Sequence, residues 1–320
     1  MTRFLLRRLL IALLLLWVVA TATFGLVCLA PGDVASRLSD PRIAPAARER
    51  WRRDFGLDRP VAVRYGSWLA DAVRGDLGTS WTFRQGVATL LGEAIRHTAL
   101  LASLGLLVEL LGGMALALVQ LHRPHGATDR LLSVVSLGAY AAPTYAVGLG
   151  LTYLFAYRLG WLPPTHMLSP TQEPGTGAGL AVDVARHLVL PALAIGITGI
   201  GAVARYLRGS LLDERTRLYV LAARARGCTE RRALVAHALP NALLPLITML
   251  GLSLPFLVSG SLVVEVVFAW PGMGQLMVGA ALSRDVPLLM GGTLAGASAV
   301  IAGSLLADIA YAAADPRVRL

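Results

Sequence analysis

Six stretches of this chain are apolar, almost free of charge and long enough to cross a lipid bilayer: residues 9–29, 98–121, 131–157, 187–204, 242–264 and 287–307. A hydrocarbon layer roughly 30 Å thick needs about 17–25 helical residues. It offers no water to the backbone, so each crossing must satisfy its own N–H and C=O groups, and a helix does so within one segment. The expected fold class is therefore all-α: a polytopic membrane protein with six transmembrane helices. Composition agrees, since 56% of the residues are hydrophobic and 15% are charged, well short of the charge on a soluble domain. The first stretch follows Arg7 and Arg8 and contains Ala20-Thr21-Ala22, the small-x-small form of a leader cleavage site. Apolar residues run on through Phe24, Leu26 and Val27 to Leu29, so it is read as a retained membrane helix.

Arginine sets the orientation. With both termini cytoplasmic, the short inner segments hold fifteen arginines: Arg3, Arg7, Arg8, Arg123, Arg130, eight between positions 205 and 232, Arg317 and Arg319. The short outer loops hold Arg158, Arg186 and Arg284. The remaining eleven lie in residues 33–96, a segment long enough to be nearly exempt from the positive-inside rule. That segment has structure of its own. Residues 48–55 read as a short polar helix ended by Gly56, and Trp68, Leu69, Ala72 and Val73 have helical spacing. Residues 161–182 are rich in Pro, Gly and Thr and read as irregular.

All 29 basic residues are arginine. Without lysine the chain has no P-loop lysine, no Schiff-base lysine and no Ser–Lys dyad. No catalytic residue, metal site or cofactor is expected, and any ATP must be hydrolysed by another polypeptide. Cys28 and Cys228 fall on opposite sides of the membrane in this topology, which excludes pairing. The six histidines show no ligand spacing. No nucleic-acid partner is expected. Glu109 falls in the middle of the second span, where a charge costs at least roughly 2.5 kcal/mol, so it is a candidate for the translocation path or for a subunit contact. Glu265 lies at the outer end of the fifth span, where it can hold the Trp270-Pro271-Gly272 turn through hydrogen bonds or contact an extracytoplasmic partner protein.

Between the fourth and fifth spans the chain reads YVLAARARGCTERRALVAHALPNALLPLITMLG over residues 219–251. Arg224 and Arg226 close one helical stretch, where cations suit the negative helix end, and Gly227 supplies a left-handed turn. Thr229 can cap the next helix, with Glu230 in its first turn. A loop that only fixed topology would need none of this. The small residues Ala222, Ala223 and Ala225 beside the break allow close approach of a partner surface, so residues 209–240 are read as a docking elbow.

This elbow resembles the EAA loop, or coupling helix, of ABC importer permeases. Ala222, Ala223 and Gly227 occupy the motif, Leu221 stands where its acid is usual, and Ala-Arg-Ala-Arg-Gly at 223–227 has the form of the dipeptide/oligopeptide/nickel branch. Other segments resemble that branch in order along the chain: FLLRRLL at 4–10, APGD at 30–33, FGLDRP at 55–60 and GDLGTS at 75–80. HALPNALLPLIT at 237–248, VVEVVFAWPGMG at 263–274, RDVPLLMGG at 284–292 and DPRVR at 315–319 continue the series. The chain is similar to the B-type permease subunit of a peptide importer.

The resemblance implies a type I ABC importer permease fold in a bacterial cytoplasmic (inner) membrane. It implies an N-terminal helix over 1–30, an extracytoplasmic segment over 31–96 and a five-helix core over 97–320. The implied partners are a homologous second permease, two ATPase subunits that bind ATP and Mg, and an extracytoplasmic solute-binding protein. Ala222, Ala223, Arg224, Arg226 and Gly227 would shape the ATPase contact. Dipeptides or oligopeptides are the first cargo; nickel chelates, glutathione and oligosaccharides are carried elsewhere in the branch. A secondary transporter is the rival class, for which midplane ionisable groups and inverted repeats are the signature; Glu109 alone fits, and no repeat is evident.

Overall fold

The computed structural model describes residues 2–29, 58–122, 124–169, 177–243, 246, 253 and 262–314. The helix expected over 48–55, most of the fifth span and the DPRVR ending lie outside the described residues. The elements are α1 (Thr2–Leu29), α2 (Val61–Val73), α3 (Val87–His122), α4 (Ala127–Ala141) and α5 (Thr144–Leu151, continued by the π-helical Thr152–Arg158). They continue as α6 (Ala178–Arg215), α7 (Leu218–Ala225) and α8, which runs from Glu230–Arg232 through the π-helical Ala233–Ala238 into Leu239–Ala242. Last come α9 (Leu262–Val267), α10 (Met273–Leu282) and α11 (Val286–Ala314). Among the described residues there is no strand, only an isolated bridge between Thr79 and Gly86.

Four of these helices, α1, α3, α6 and α11, are long and apolar enough to cross a membrane, and α4 with α5 makes a fifth if the bent pair counts as one span. The third span is thus not straight. Its two halves meet at 103° across Ala142-Pro143. Pro143 has no N–H to give and pushes the residue before it out of the helical region, and Ala142 sits at φ −72°, ψ 136°. The fourth span, the shortest by hydropathy, belongs to the longest helix. Hydropathy reports the hydrocarbon thickness, whereas α6 runs 38 residues, about 57 Å at 1.5 Å per residue, because its polar ends continue the helix beyond the apolar stretch. Pro191 lies inside it without ending it. The loop expected over 161–182 yields to α6 from Ala178 onward.

Contacts group the chain into two units, Met1–Ala94 with Leu276–Ile301, and Ile95–Gln275 with Ala302–Leu320. In the first, Tyr65 of α2 stacks on Phe24 of α1 at 5.1 Å and hydrogen-bonds Thr21. Most apolar side chains of α1 are exposed, as suits a helix whose solvent is lipid. The GDLGTS segment folds onto the start of α11. Asp285 is fully buried there; its Oδ2 accepts from Ser80 Oγ (2.6 Å) and from the Thr82 N–H (2.9 Å), and its Oδ1 accepts from the Leu288 N–H.

In the second unit α6 is the shaft. Leu188, Leu190 and Ala194 on its first half join Leu101, Val264, Phe268 and Trp270 in one apolar cluster. Val203, Leu207 and Leu211 on its second half join Ala117, Val220, Ala233 and Ala238 in another, at the elbow end. Helices α3 and α6 interlock through missing side chains: a Cβ on Gly105 or Gly113 would strike Ile195 or Val203, and one on Gly196 would strike Val108. On the other flank, α4 is tied to α6 by Asp129, whose carboxylate takes Arg208 Nε at 3.0 Å and Nη2 at 2.7 Å as well as the His125 N–H.

Helices α4 and α6 approach closely at Gly201, where a Cβ would lie 2.4 Å from the Ser136 carbonyl oxygen. Gly201→Ala is expected to destabilise by about 1–3 kcal/mol through overpacking. Gly138→Ala on α4, where a Cβ meets nothing within 4 Å, is expected to leave stability unchanged or higher. Thermal unfolding of the two variants in detergent checks this; equal midpoints would show that the contact does not hold the helices together.

Candidate functional site

The elbow is built from local signals. Helix α7 ends at Ala225, and Gly227 takes φ +92°, a region costly for residues with a Cβ. The Cys228 N–H reaches back to the Ala223 carbonyl (3.2 Å) and the Gly227 N–H to that of Arg224 (2.9 Å), the two bonds of a Schellman end. Thr229 then caps α8, its hydroxyl accepting from the Arg232 N–H at 3.4 Å.

Polar side chains brace this turn against both neighbouring helices. Tyr219 donates to Glu214 at the end of α6 (2.5 Å) and accepts from Asn241 at the end of α8 (3.0 Å). Burial, and then the Glu214 carboxylate beside it, raise the Tyr219 pKa, so the phenol keeps the proton it donates. Arg215 pairs with Glu230 across the same corner, and Ser210 Oγ donates to the Ala242 carbonyl.

The predicted elbow residues separate by face. Ala222, Arg224, Ala225, Arg226 and Gly227 are exposed. Ala223 is not: at 1% exposure it is turned into the chain, so its small side chain serves packing within the protein rather than approach to a partner. Val220 is buried in the same way, in the elbow-end cluster. What α7 presents instead is a stripe of Leu218, Leu221, Ala222 and Ala225, spaced i, i+3, i+4 and i+7, with Leu218 84% and Leu221 44% exposed. Leu218 carries no signal in the sequence; only the phase of the helix brings it into the stripe.

At the other end of the second unit stands the turn after α9. Glu265 is fully buried. One oxygen accepts from the Gly274 (2.6 Å) and Gln275 (3.1 Å) N–H groups, and the other from Thr98 Oγ1 (2.8 Å). Thr98 in turn accepts from the Met273 N–H (2.7 Å). Trp270, also fully buried, donates its indole N–H to the His97 carbonyl, and His97 Nδ1 donates to the Pro271 carbonyl. Gly272 has no room for a Cβ, which would fall 2.5 Å from the Glu265 carboxyl carbon. Glu265, Trp270, Pro271 and Gly272 are thus brought into one hydrogen-bonded knot. Its other members, His97 and Thr98, lie far away in sequence and were not legible from spacing.

Glu109 is half-buried, and its carboxyl lies in the space left by Gly199 of α6. Among the described residues it has no hydrogen bond or ion pair.

Comparison with known proteins covers the whole chain. Residues 109–320 match the family described as "Binding-protein-dependent transport system inner membrane component", and residues 1–99 match the N-terminal family that accompanies it. The chain is 37% identical over 323 residues to a putative peptide permease protein of Brucella suis biovar 1, with 100% of both chains covered. It is 35% identical over 320 residues to the oligopeptide transport system permease protein AppB of Bacillus subtilis, with 99% of each covered. Identity is 31% to the glutathione transport system permease protein GsiC of Escherichia coli O6:H1, over 100% of this chain and 99% of the relative.

Glu265→Ala leaves three donors without their acceptor and opens a void. A loss of about 2–5 kcal/mol is expected, read as a lower unfolding temperature in detergent. Glu93→Ala, at an exposed position, is expected to change little. Equal stability of the two would mean that the knot does not depend on the carboxylate.

Proposed function

Since the chain belongs to the family of binding-protein-dependent transport system inner membrane components, we propose that it translocates peptides delivered by an extracytoplasmic solute-binding protein. It is a permease subunit of an ATP-driven ABC importer, a multi-pass protein of the inner membrane. Peptide and oligopeptide permeases at 37% and 35% identity over essentially the full length support this cargo above the alternatives.

The observation that carries the mechanism is the elbow. An exposed apolar stripe on a rigid helix, flanked by Arg224, Arg226, Arg231 and Arg232, fits the groove of a partner ATPase. ATP, with Mg, is bound and hydrolysed there, and closure of two such subunits displaces α7. The braces from Tyr219 to Glu214 and Asn241, and from Arg215 to Glu230, pass that displacement to α6 and α8 as one body. Motion of helix groups about a central site then alternates access. Six spans with both termini cytoplasmic complete this reading, the fifth joining α8 to α9. So do the division at 1–30, 31–96 and 97–320, and a homologous second permease forming a heterodimer. Glu109, an acid within a span that has no partner among the described residues, serves the pathway or the contact with that second permease.

The test is affinity purification of the tagged chain from native membrane, with mass spectrometry of its partners. A second permease, P-loop ATPases and a solute-binding protein are expected; recovery of the intact chain alone would point to a secondary carrier. In the purified complex, Gly227→Asp forces a side chain into the left-handed region and is expected to cut substrate-stimulated ATP hydrolysis several-fold. Normal stimulation in that variant would remove the elbow from the coupling path.

A further inference from the structure

Seven charged residues other than histidine lie on α6, and five have partners in the surrounding chain. Asp183 accepts from Ser169, Arg186 donates to the Trp161 carbonyl, Arg208 grips Asp129, Glu214 accepts from Tyr219 and Arg215 pairs with Glu230. Arg205 and Asp213 are left over. Among the described residues neither side chain has a hydrogen bond or an ion pair. Both line one open cavity of about 700 Å³, together with Tyr140, Tyr206, Gly209 and Ser210.

Arg205 stands one residue past the fourth apolar stretch, which ends at residue 204. Helix α4 runs antiparallel to α6, with Asp129 beside Arg208 and Ser136 beside Gly201. The Arg205 guanidinium stacks on Tyr140, 5.8 Å from the ring centroid. Tyr140 is eleven residues further along α4 than Asp129, about 16 Å at 1.5 Å per residue. Arg205 is exposed on the cavity wall and has no carboxylate partner among the described residues. The aromatic face holds it in place and leaves its forked N–H donors open to a ligand.

The two charges have opposite signs and both lie on the α6 wall of the cavity, which Ala202 extends one turn beyond Arg205. They are eight residues apart on α6, about 12 Å along the axis. Helical side chains lean toward the N-terminal end, which carries the long arginine further from Asp213. An extended peptide covers about 3.3–3.6 Å per residue, so about four residues fill the gap. Ser210 adds a polar group on the stretch of α6 between them and Gly209 adds no side chain, while Tyr140 and Tyr206 also line the cavity, so the groove suits a backbone with varied side chains.

We propose that this cavity holds the peptide in transit, with Arg205 receiving its C-terminal carboxylate and Asp213 its α-amino group. The assignment rests on the peptide-importer reading and adds to it which ends of the cargo the permease recognises. Because both contacts address groups that every free peptide has, they discriminate length and blocked ends rather than sequence.

The experiment uses the full complex in proteoliposomes with its binding protein. Uptake is measured for a tetrapeptide with free ends, its C-terminal amide and its N-acetyl form, each as a ratio of variant to wild type, so that the binding protein's own preferences cancel. Arg205→Gln is expected to lower uptake of the free tetrapeptide at least tenfold and to spare the amide, with partial recovery in Arg205→Lys. Asp213→Asn is expected to act on the free peptide and spare the N-acetyl form. A tetrapeptide with a C-terminal photoreactive phenylalanine is expected to label the chain around Tyr140 or Tyr206 in the wild type and not in Arg205→Gln. Equal losses for free and blocked peptides, unchanged uptake, or labelling only elsewhere would overturn the proposal. Loss of the second permease from the Arg205→Gln complex would also overturn it, by making the groove a subunit contact. A wild-type complex that imports no peptide would instead overturn the importer reading itself.

Discussion

A single buried carboxylate, Asp129, gripped through two hydrogen bonds by Arg208, settles how α4 lies along α6, and most of the second unit follows from that. Two planar groups matched in this way fix orientation as well as distance. Removing one partner would strand the other charge where water is scarce, so the pair has one good arrangement. With α4 held on one flank and α3 interlocked through glycines on the other, α6 becomes a strut joining two apolar clusters. The elbow stands at one end of it and the glutamate-centred turn belongs to the cluster at the other.

The proposed coupling draws on the same stiffness. A coupling element works only if displacement at its surface reaches the interior without being absorbed on the way. Hydrogen bonds from Tyr219 and the Arg215–Glu230 pair close the corner between α6, α7 and α8, and Ala223 and Val220 fill it. The elbow is therefore a rigid extension of α6, and the face it presents outward is apolar. Two kinds of charge sit on α6: those bonded to neighbours, which hold the fold, and Arg205 and Asp213, which line the open cavity and have no hydrogen bond or ion pair among the described residues.

What could be read from the sequence was local. Helix class, the Gly227 turn and the Thr229 cap depend on residues within a few positions of each other, and their chemistry was visible as spacing. The bend at Pro143 has the same local cause, but an unbroken apolar run hid it. The full length of α6 was masked because hydropathy measures lipid contact, and its arginines and acids look like loop. Partners distant in the chain were out of reach: nothing near Glu265 points to Thr98, and nothing near Asp285 points to Ser80. Ala223 shows the limit most sharply. Its small size was visible, yet only the phase of α7 tells whether smallness serves a partner or the protein's own core.

The most direct test of this account is photo-crosslinking from Leu221, the central exposed residue of the α7 stripe, in the complex assembled in its native membrane. The account predicts one dominant adduct, to an ATPase subunit, formed with and without nucleotide. Adducts only to lipid or to the second permease would contradict it, because the apolar face of the elbow would then be a membrane or subunit contact and the drive for transport would have to enter elsewhere.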